Sequence, residues 1–165
     1  MTTRMEFSEA PTGWPMLVKA AISRKPGLKE GEDIGRFEAA VQGVSTAGLS
    51  EYQDICGFPR SDILPITFPQ VVASPLHLAI LTHKSFPLPA MGLVHVSSRI
   101  TQERGIRADE SLDVNCWVEG QRPSARWEVV WGGRVASSWE SGKLVGKWQA
   151  RGKYGKLVGN RQTRG

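Results

Sequence analysis

Histidine is the residue type of this chain best suited to acid–base chemistry, and the sequence holds His77, His83 and His95. An imidazole changes charge near neutral pH, so a histidine beside a carboxylate can position and deprotonate a water molecule. The nearest carboxylates have no spacing that demands contact with a histidine; they belong to Asp54, Asp62, Asp109 and Asp113. The residue pattern therefore predicts no catalytic Asp–His dyad.

Other common chemistries lack their sequence patterns. Cys56 and Cys116 lie far apart and in no metal or redox spacing, so we interpret them as free thiols in a reducing compartment. No serine lies in a Gly-x-Ser-x-Gly motif, and no glycine-rich phosphate loop is present. We predict no catalytic residue, no metal and no cofactor.

Composition indicates one globular domain. The chain has 165 residues, 40% of them hydrophobic and 22% charged, which suits a single domain with a real core. No apolar run is long enough for a bilayer, and no signal-peptide pattern is visible, so we expect a cytoplasmic protein without a membrane partner. We divide the chain into a leader with a short helix (1–27), whose residues 1–13 are expected to be flexible, a central domain (28–150) and a basic, flexible tail (151–165).

The net charge of +5 belongs to the end of the chain, because every charged residue after Ser141 is basic. These basic residues are interleaved with Trp148 and Tyr154, a combination that can contact the phosphates of coenzyme A or of a nucleic acid. A solvated tail explains them more simply. We therefore expect no nucleic-acid partner.

A central stretch, LPITFPQVVASPLHLAILTHKSFPLPAMGLVHVSSR, organises the predicted fold. Ser74 can cap a helix whose first position is Pro75, and the pattern predicts a helix from Pro75 to His83. This segment is apolar nearly all round, which predicts a buried helix. After a proline-rich turn, the β-branched run from Gly92 to Ile100 predicts a strand.

The rest of the chain is mainly β. Strands are predicted at Arg36–Val44 and Ser111–Glu119, and helices at Trp14–Ser23 and Ala47–Cys56. Gly132-Gly133 predicts a hairpin turn between two strands, Trp127–Trp131 and Val135–Trp139. Weaker strand patterns follow at Lys143–Gln149 and Tyr154–Val158.

Short motifs spread over roughly residues 45–123 carry a family resemblance. They are Tyr52 with Cys56-Gly57-Phe58, Leu64-Pro65, Thr67-Phe68-Pro69, Pro75-Leu76-His77, Phe86-Pro87-Leu88-Pro89, Gly92-Leu93-Val94-His95 and Arg99-Ile100. As a set they resemble the N-terminal half of the MaoC-like acyl dehydratases. The resemblance implies an α+β hot-dog fold, in which an antiparallel sheet wraps around a central helix, and activity on acyl-thioesters such as acyl-CoA.

The family's hydratase chemistry uses an Asp-x-Asn-x-x-His motif, which this sequence lacks. The resemblance therefore implies an acyl-binding half without catalytic residues of its own, with substrate-binding roles for His77, His95, Phe68, Phe86 and Gly92. The competing interpretation is that His77 and His95 are core or interface residues whose polar atoms already have hydrogen-bond partners. Near the end of the predicted helix, His83 is expected to be structural, since a cation suits a helix C-terminus.

The expected partners are an acyl-CoA or other acyl-thioester and a second hot-dog unit. A single hot-dog sheet leaves an open edge, which predicts either a homodimer or pairing with a catalytic half. Two alternatives remain open at this point: a non-enzymatic binding or structural module, and a thioesterase on the same fold.

Overall fold

The computed structural model describes residues 2–11, 13–22, 25–28, 31–91, 93–122, 128–137 and 143–154, with backbone only for 13, 122, 128 and 143–154. The described elements are, in order, β1 (Thr2–Phe7), α1 (Gly13–Ile22), β2 (Arg36–Val44), α2 (Leu49–Cys56), α3 (Phe68–Thr82), β3 (Leu93–Gln102), β4 (Leu112–Arg122), β5 (Glu128–Ser137) and β6 (Lys143–Tyr154). None of the described helices combines the length and apolar character needed to cross a bilayer.

The strands form one sheet in the order β1-β2-β4-β5-β6-β3. All neighbouring strands are antiparallel except β1, which runs parallel to β2. Helix α3 packs on one face of the sheet against β2, β4 and β5, and α1 packs against α3. This arrangement is the predicted one: a sheet around a central helix.

Alternation along β2 and β4 explains which face of the sheet is buried. Phe37, Ala39 and Val41 are buried on β2, and they pair with Val118, Cys116 and Val114 of β4, which are also buried. Side chains at the intervening positions point to the opposite face. One face of the sheet is therefore apolar and covers α3, and the other face is polar. We call these the helix-facing side and the outer side.

The central helix begins earlier than predicted. It starts at Phe68 rather than Pro75, and Ser74 does not cap it but donates its hydroxyl to Gln70 O at 3.2 Å. The helix follows Thr67 and has Pro69 in its first turn, the place where a proline is tolerated. Pro69 and Pro75 each mark a possible helix start in the sequence. The prediction used Pro75, which lies inside the helix.

Two predictions at the edges of the domain were wrong. The expected flexible leader contains β1, whose Met5 and Phe7 alternate toward the core while Arg4 and Glu6 remain outside. At the other end, β6 continues through Tyr154, so the sheet extends past the boundary placed after residue 150. Of the weaker predicted strand 154–158, only its first residue lies within the described residues.

The predicted hairpin at Gly132-Gly133 is also wrong, because both glycines lie inside β5. Gly132 pairs with Trp117 of β4, and a Cβ placed on Gly132 would lie 2.9 Å from Cζ2 of that indole. The glycine is needed here for close approach of the ring rather than for a turn.

Gly132→Ala should lower the free energy of unfolding by about 1–3 kcal/mol, because the added methyl group collides with the indole of Trp117. Urea unfolding of wild type, Gly132→Ala, Trp117→Leu and the double variant measures the coupling. In the Trp117→Leu background the alanine should cost much less. An equal loss in both backgrounds would show that the indole is not the cause.

Candidate functional site

A cavity of about 270 Å³ lies on the helix-facing side of the sheet, where α3 meets β3, β4 and β5. Its lining is mostly apolar, with two histidines and one amide: Gln70, His77, Ile80, Leu81, Ala90, Leu93, His95, Trp117, Val118 and Trp131. Both predicted groove histidines therefore meet in one place, although 18 residues separate them in the sequence.

His77 enters the cavity from α3 and is largely buried. Burial disfavours the charged imidazolium and lowers the pKa of His77 to about 4. At neutral pH the ring is therefore uncharged, and an uncharged imidazole offers one donor and one acceptor. This suits hydrogen bonding to a neutral polar group inside an apolar cavity.

His95 enters the cavity from β3. It pairs with Gly152 of β6, which pairs with buried Val129 of β5, and this register places His95 on the helix-facing side. Its Nε2 donates to Ser97 O at 2.9 Å, and its ring centroid lies 6.3 Å from that of Trp131. Its side chain is exposed and points away from that of its exposed neighbour Val94.

Irregular strand pairing occurs at the cavity. β3 shifts register against β6 between His95 and Ser97, and β4 shifts against β5 between Val118 and Gly120. Bulges of this kind bend a strand and re-aim its side chains, and they are enriched near functional sites. The two shifts adjoin cavity residues on both strands, so the open space coincides with a local break in the regular sheet.

The other predicted site residues are elsewhere. Phe68 and Phe86 are core residues, 3% and 0% exposed, and neither lines the cavity. Phe68 packs on Tyr52 at a centroid distance of 5.4 Å, and Phe86 packs on Phe37 at 5.3 Å. Gly92 lies outside the described residues. Phe68 and Phe86 belong to motifs that carry the family resemblance, but in this structure they contribute to core packing rather than to the cavity.

His83 has a structural position, as expected, at the C-cap of α3. Its carbonyl accepts a hydrogen bond from Lys25 Nζ at 2.6 Å. The expected cation is not favoured there, because desolvation and the nearby charges of Lys84, Lys25 and Lys19 lower the pKa of His83.

No carboxylate lines this cavity within the part of the chain that the structure describes. Asp54 pairs with Arg60, Asp109 pairs with Arg107, and Asp113 accepts a hydrogen bond from Gly43 N at 3.0 Å. Cys116 of β4 is buried on the helix-facing side of the sheet, and burial raises the pKa of its thiol. The cavity as described can therefore hold an apolar chain and hydrogen-bond a polar group beside it.

Sequence reasoning missed several lining residues, above all Gln70. With the helix predicted to begin at Pro75, Gln70 lay outside it, although it is seven residues before His77. Two helical turns separate such positions, so they share one face. Nothing in the sequence marked Trp117 and Trp131 as cavity residues. Alternation assigns each ring to one face of its strand but does not show that a cavity lies beside it.

Comparison with known proteins now bears on the family. No family model matches the sequence. The chain is similar to 3-hydroxyacyl-thioester dehydratase X of Mycobacterium tuberculosis, at 25% identity over 122 residues that make up 73% of this chain and 44% of the relative. It thus spans less than half the length of that relative.

Solved structures share the fold. HtdX of Mycobacterium tuberculosis has a TM-score of 0.64 at 22% identity, over 71% of this chain and 50% of that chain. A chain of the HadBC complex, a (3R)-hydroxyacyl-ACP dehydratase from the same organism, has a TM-score of 0.55 at 14% identity, over 79% and 98%. The predicted α+β hot-dog fold is confirmed, and so is the resemblance to MaoC-like acyl dehydratases.

The lowered pKa of His77 predicts a pH dependence of stability. Between pH 6.5 and about 4 the unfolded chain binds a proton at His77 that the folded chain does not, so acid favours unfolding. As the pH falls over this interval, the free energy of unfolding should decrease by about 3 kcal/mol less in His77→Gln than in wild type. Urea unfolding from pH 8 to 4 measures both profiles, which should be parallel above pH 7. Parallel profiles throughout would contradict the buried, uncharged imidazole.

Proposed function

We propose that this chain binds the acyl part of an acyl-thioester of the acyl-CoA type and supports a separate catalytic hot-dog half. The observation that carries the proposal is the cavity in which apolar side chains surround His77 and His95. Its volume of about 270 Å³ is close to the lower end of ligand pockets, which span about 300–1,000 Å³. That size suits a short or medium acyl chain.

The lining explains how such a ligand would lie. Ile80, Leu81 and Leu93 offer an apolar wall to the acyl chain. The side-chain amide of Gln70 and the uncharged imidazole of His77 can donate hydrogen bonds to the thioester carbonyl. Both donors come from α3, so their spacing is held by a regular helix rather than by a loop.

The same lining argues against hydration by this chain alone. A general base must reach the water that it deprotonates, and its pKa should lie near the working pH. His77, with a pKa of about 4, is a weak base. His95 already donates to Ser97 O, and no carboxylate lines the described cavity to orient it. We therefore assign the water-activating residues to a partner.

The relatives support the division of labour. The dehydratase relative is more than twice as long as the segment it shares with this chain, and the HadBC structure is named as a complex. A half that binds the acyl chain and a half that activates water is one way in which such proteins would combine.

Strand β3 is where the partner would pair. It forms one edge of the sheet, so its outer backbone groups have no neighbouring strand within the described residues. Val94 and Val96 of this strand are 64% and 51% exposed. A long exposed edge with apolar side chains is prone to pairing. A strand added there would also close the cavity on the side of His95, whether it came from a second copy or from a catalytic half.

The acyl-binding role is tested by calorimetry with a non-hydrolysable octanoyl-CoA thioether. Ala90→Phe, which fills the cavity, should weaken binding at least about tenfold, which is about 1.4 kcal/mol. Ala47→Phe is the matched control, because Ala47 is exposed and does not line the cavity. Absence of binding to wild type would favour a non-enzymatic structural module.

Turnover tests the other half of the proposal. With trans-2-octenoyl-CoA, the chain alone should stay far below the usual enzyme range of about 1–10³ s⁻¹. Hydration within that range would show that the chain is itself catalytic, and hydrolysis of octanoyl-CoA would favour the thioesterase alternative.

Charge on the β3 edge should prevent pairing. Val94→Lys with Val96→Lys should reduce the apparent mass in light scattering from a dimer to a monomer, because two cations per copy oppose each other across the edge. Ile55→Lys, at a position that is 77% exposed on α2, is the control and should leave the mass unchanged. If wild type is a dimer, an unchanged mass in the double variant would place the interface elsewhere; a monomeric wild type would show that the partner at β3 is not a second copy.

A further inference from the structure

The outer side of the sheet holds two adjoining cavities, of about 300 and 260 Å³. Arg4, Asn115 and Arg134 line both of them. Asn115 pairs in register with Ala40 of β2 on one side and with Arg134 of β5 on the other. Because the side chain of Ala40 is only a methyl group, the outer surface is recessed along this row of paired residues. The depression leaves room for a small ligand on the side opposite α3.

The charges around the depression favour an anion. The lining holds three arginines against two acidic residues, Glu38 and Asp113. Arg36 is paired with Glu38 and Arg4 with Glu6, both at 2.9 Å. Arg134 is exposed and makes no ion pair with any residue that the structure describes. A cation without a counter-charge, beside other guanidinium groups, is a suitable partner for phosphate.

Asn115 supplies an independent observation. Its Oδ1 is buried and has no hydrogen-bond partner among the described residues. A buried acceptor without a donor is unfavourable, so such atoms are normally paired. A ligand in the depression that carries a hydroxyl or N–H group would supply the missing donor. Inorganic phosphate alone would satisfy the arginines, whereas an organic phosphate can satisfy both.

Trp117 adds an aromatic surface to the smaller cavity. Its indole lies against Gly132, with three ring atoms within 3.1 Å of the position of a Cβ there, and its Nε1 donates to Glu119 Oε1 at 3.3 Å. The ring is thus fixed on the outer side and is only partly buried. Stacking on such a ring is favourable for any planar base.

We propose that the outer side of the sheet binds a nucleoside phosphate. The phosphate lies among Arg4, Arg36 and Arg134, a sugar hydroxyl donates to Asn115 Oδ1, and the base lies beside Trp117. Two sources share this chemistry, a free mononucleotide and the nucleotide end of coenzyme A. Among the described residues, Trp117 is the one lining residue that this site shares with the helix-facing cavity, and the proposal does not rest on the function proposed above.

Calorimetry with adenosine monophosphate (AMP), adenosine and coenzyme A tests the site on the full chain. AMP should bind with a Kd below about 1 mM, and adenosine, which lacks the phosphate, at least about tenfold more weakly. Arg134→Gln should weaken AMP binding about tenfold. Arg60→Gln is the matched control, because it removes an exposed arginine near α2 and should change the Kd by less than about twofold. Thermal melting confirms that both variants fold.

The outcomes separate the sources. If AMP and coenzyme A compete and Arg134→Gln weakens both, the ligand is the nucleotide end of coenzyme A. If Arg134→Gln weakens only AMP, the ligand is a free nucleotide. The proposal is overturned if neither binds saturably below about 10 mM, or if Arg134→Gln and Arg60→Gln have equal effects.

Discussion

Helix α3 is buried against the apolar face of the sheet, and this burial determines how the other elements are arranged. The helix is apolar nearly all round, and Leu76 and Ile80 are almost completely buried. Burial of each such side chain is worth about 1.5–3 kcal/mol. The sheet must therefore present a continuous apolar face to the helix, and the cavity lies where the bulges of β3 and β4 interrupt that face.

Much of the fold could be predicted, because a strand with one buried face shows an alternation of apolar and polar residues in the sequence. The predicted bounds of β2, Arg36–Val44, match the structure. Local rules failed where tertiary contact decided the outcome. Gly132-Gly133 is a strong turn signal in isolation, yet the indole of Trp117 needs the space beside Gly132. Pro75 is a good first helical residue, yet a second proline-marked start, after Thr67, lay about two turns earlier.

Only part of the candidate site could be predicted from the sequence. His77 and His95 could be named from type and from a family resemblance, and the fold brings them together. Phe68 and Phe86 shared the same motifs but fill the core, because a motif does not specify the direction in which a side chain points. The outer-side depression was invisible in the sequence. It combines residues from four strands, and one of them, β1, had been interpreted as a flexible leader.

Amide hydrogen exchange tests whether α3 and β3 together form the proposed acyl-thioester site. Exchange is followed by mass spectrometry with and without a saturating octanoyl-CoA thioether. We expect added protection in residues 70–81 and 93–102, since the ligand would restrain both walls of the cavity. Protection confined to β1 and β2, or none at saturation, would contradict it.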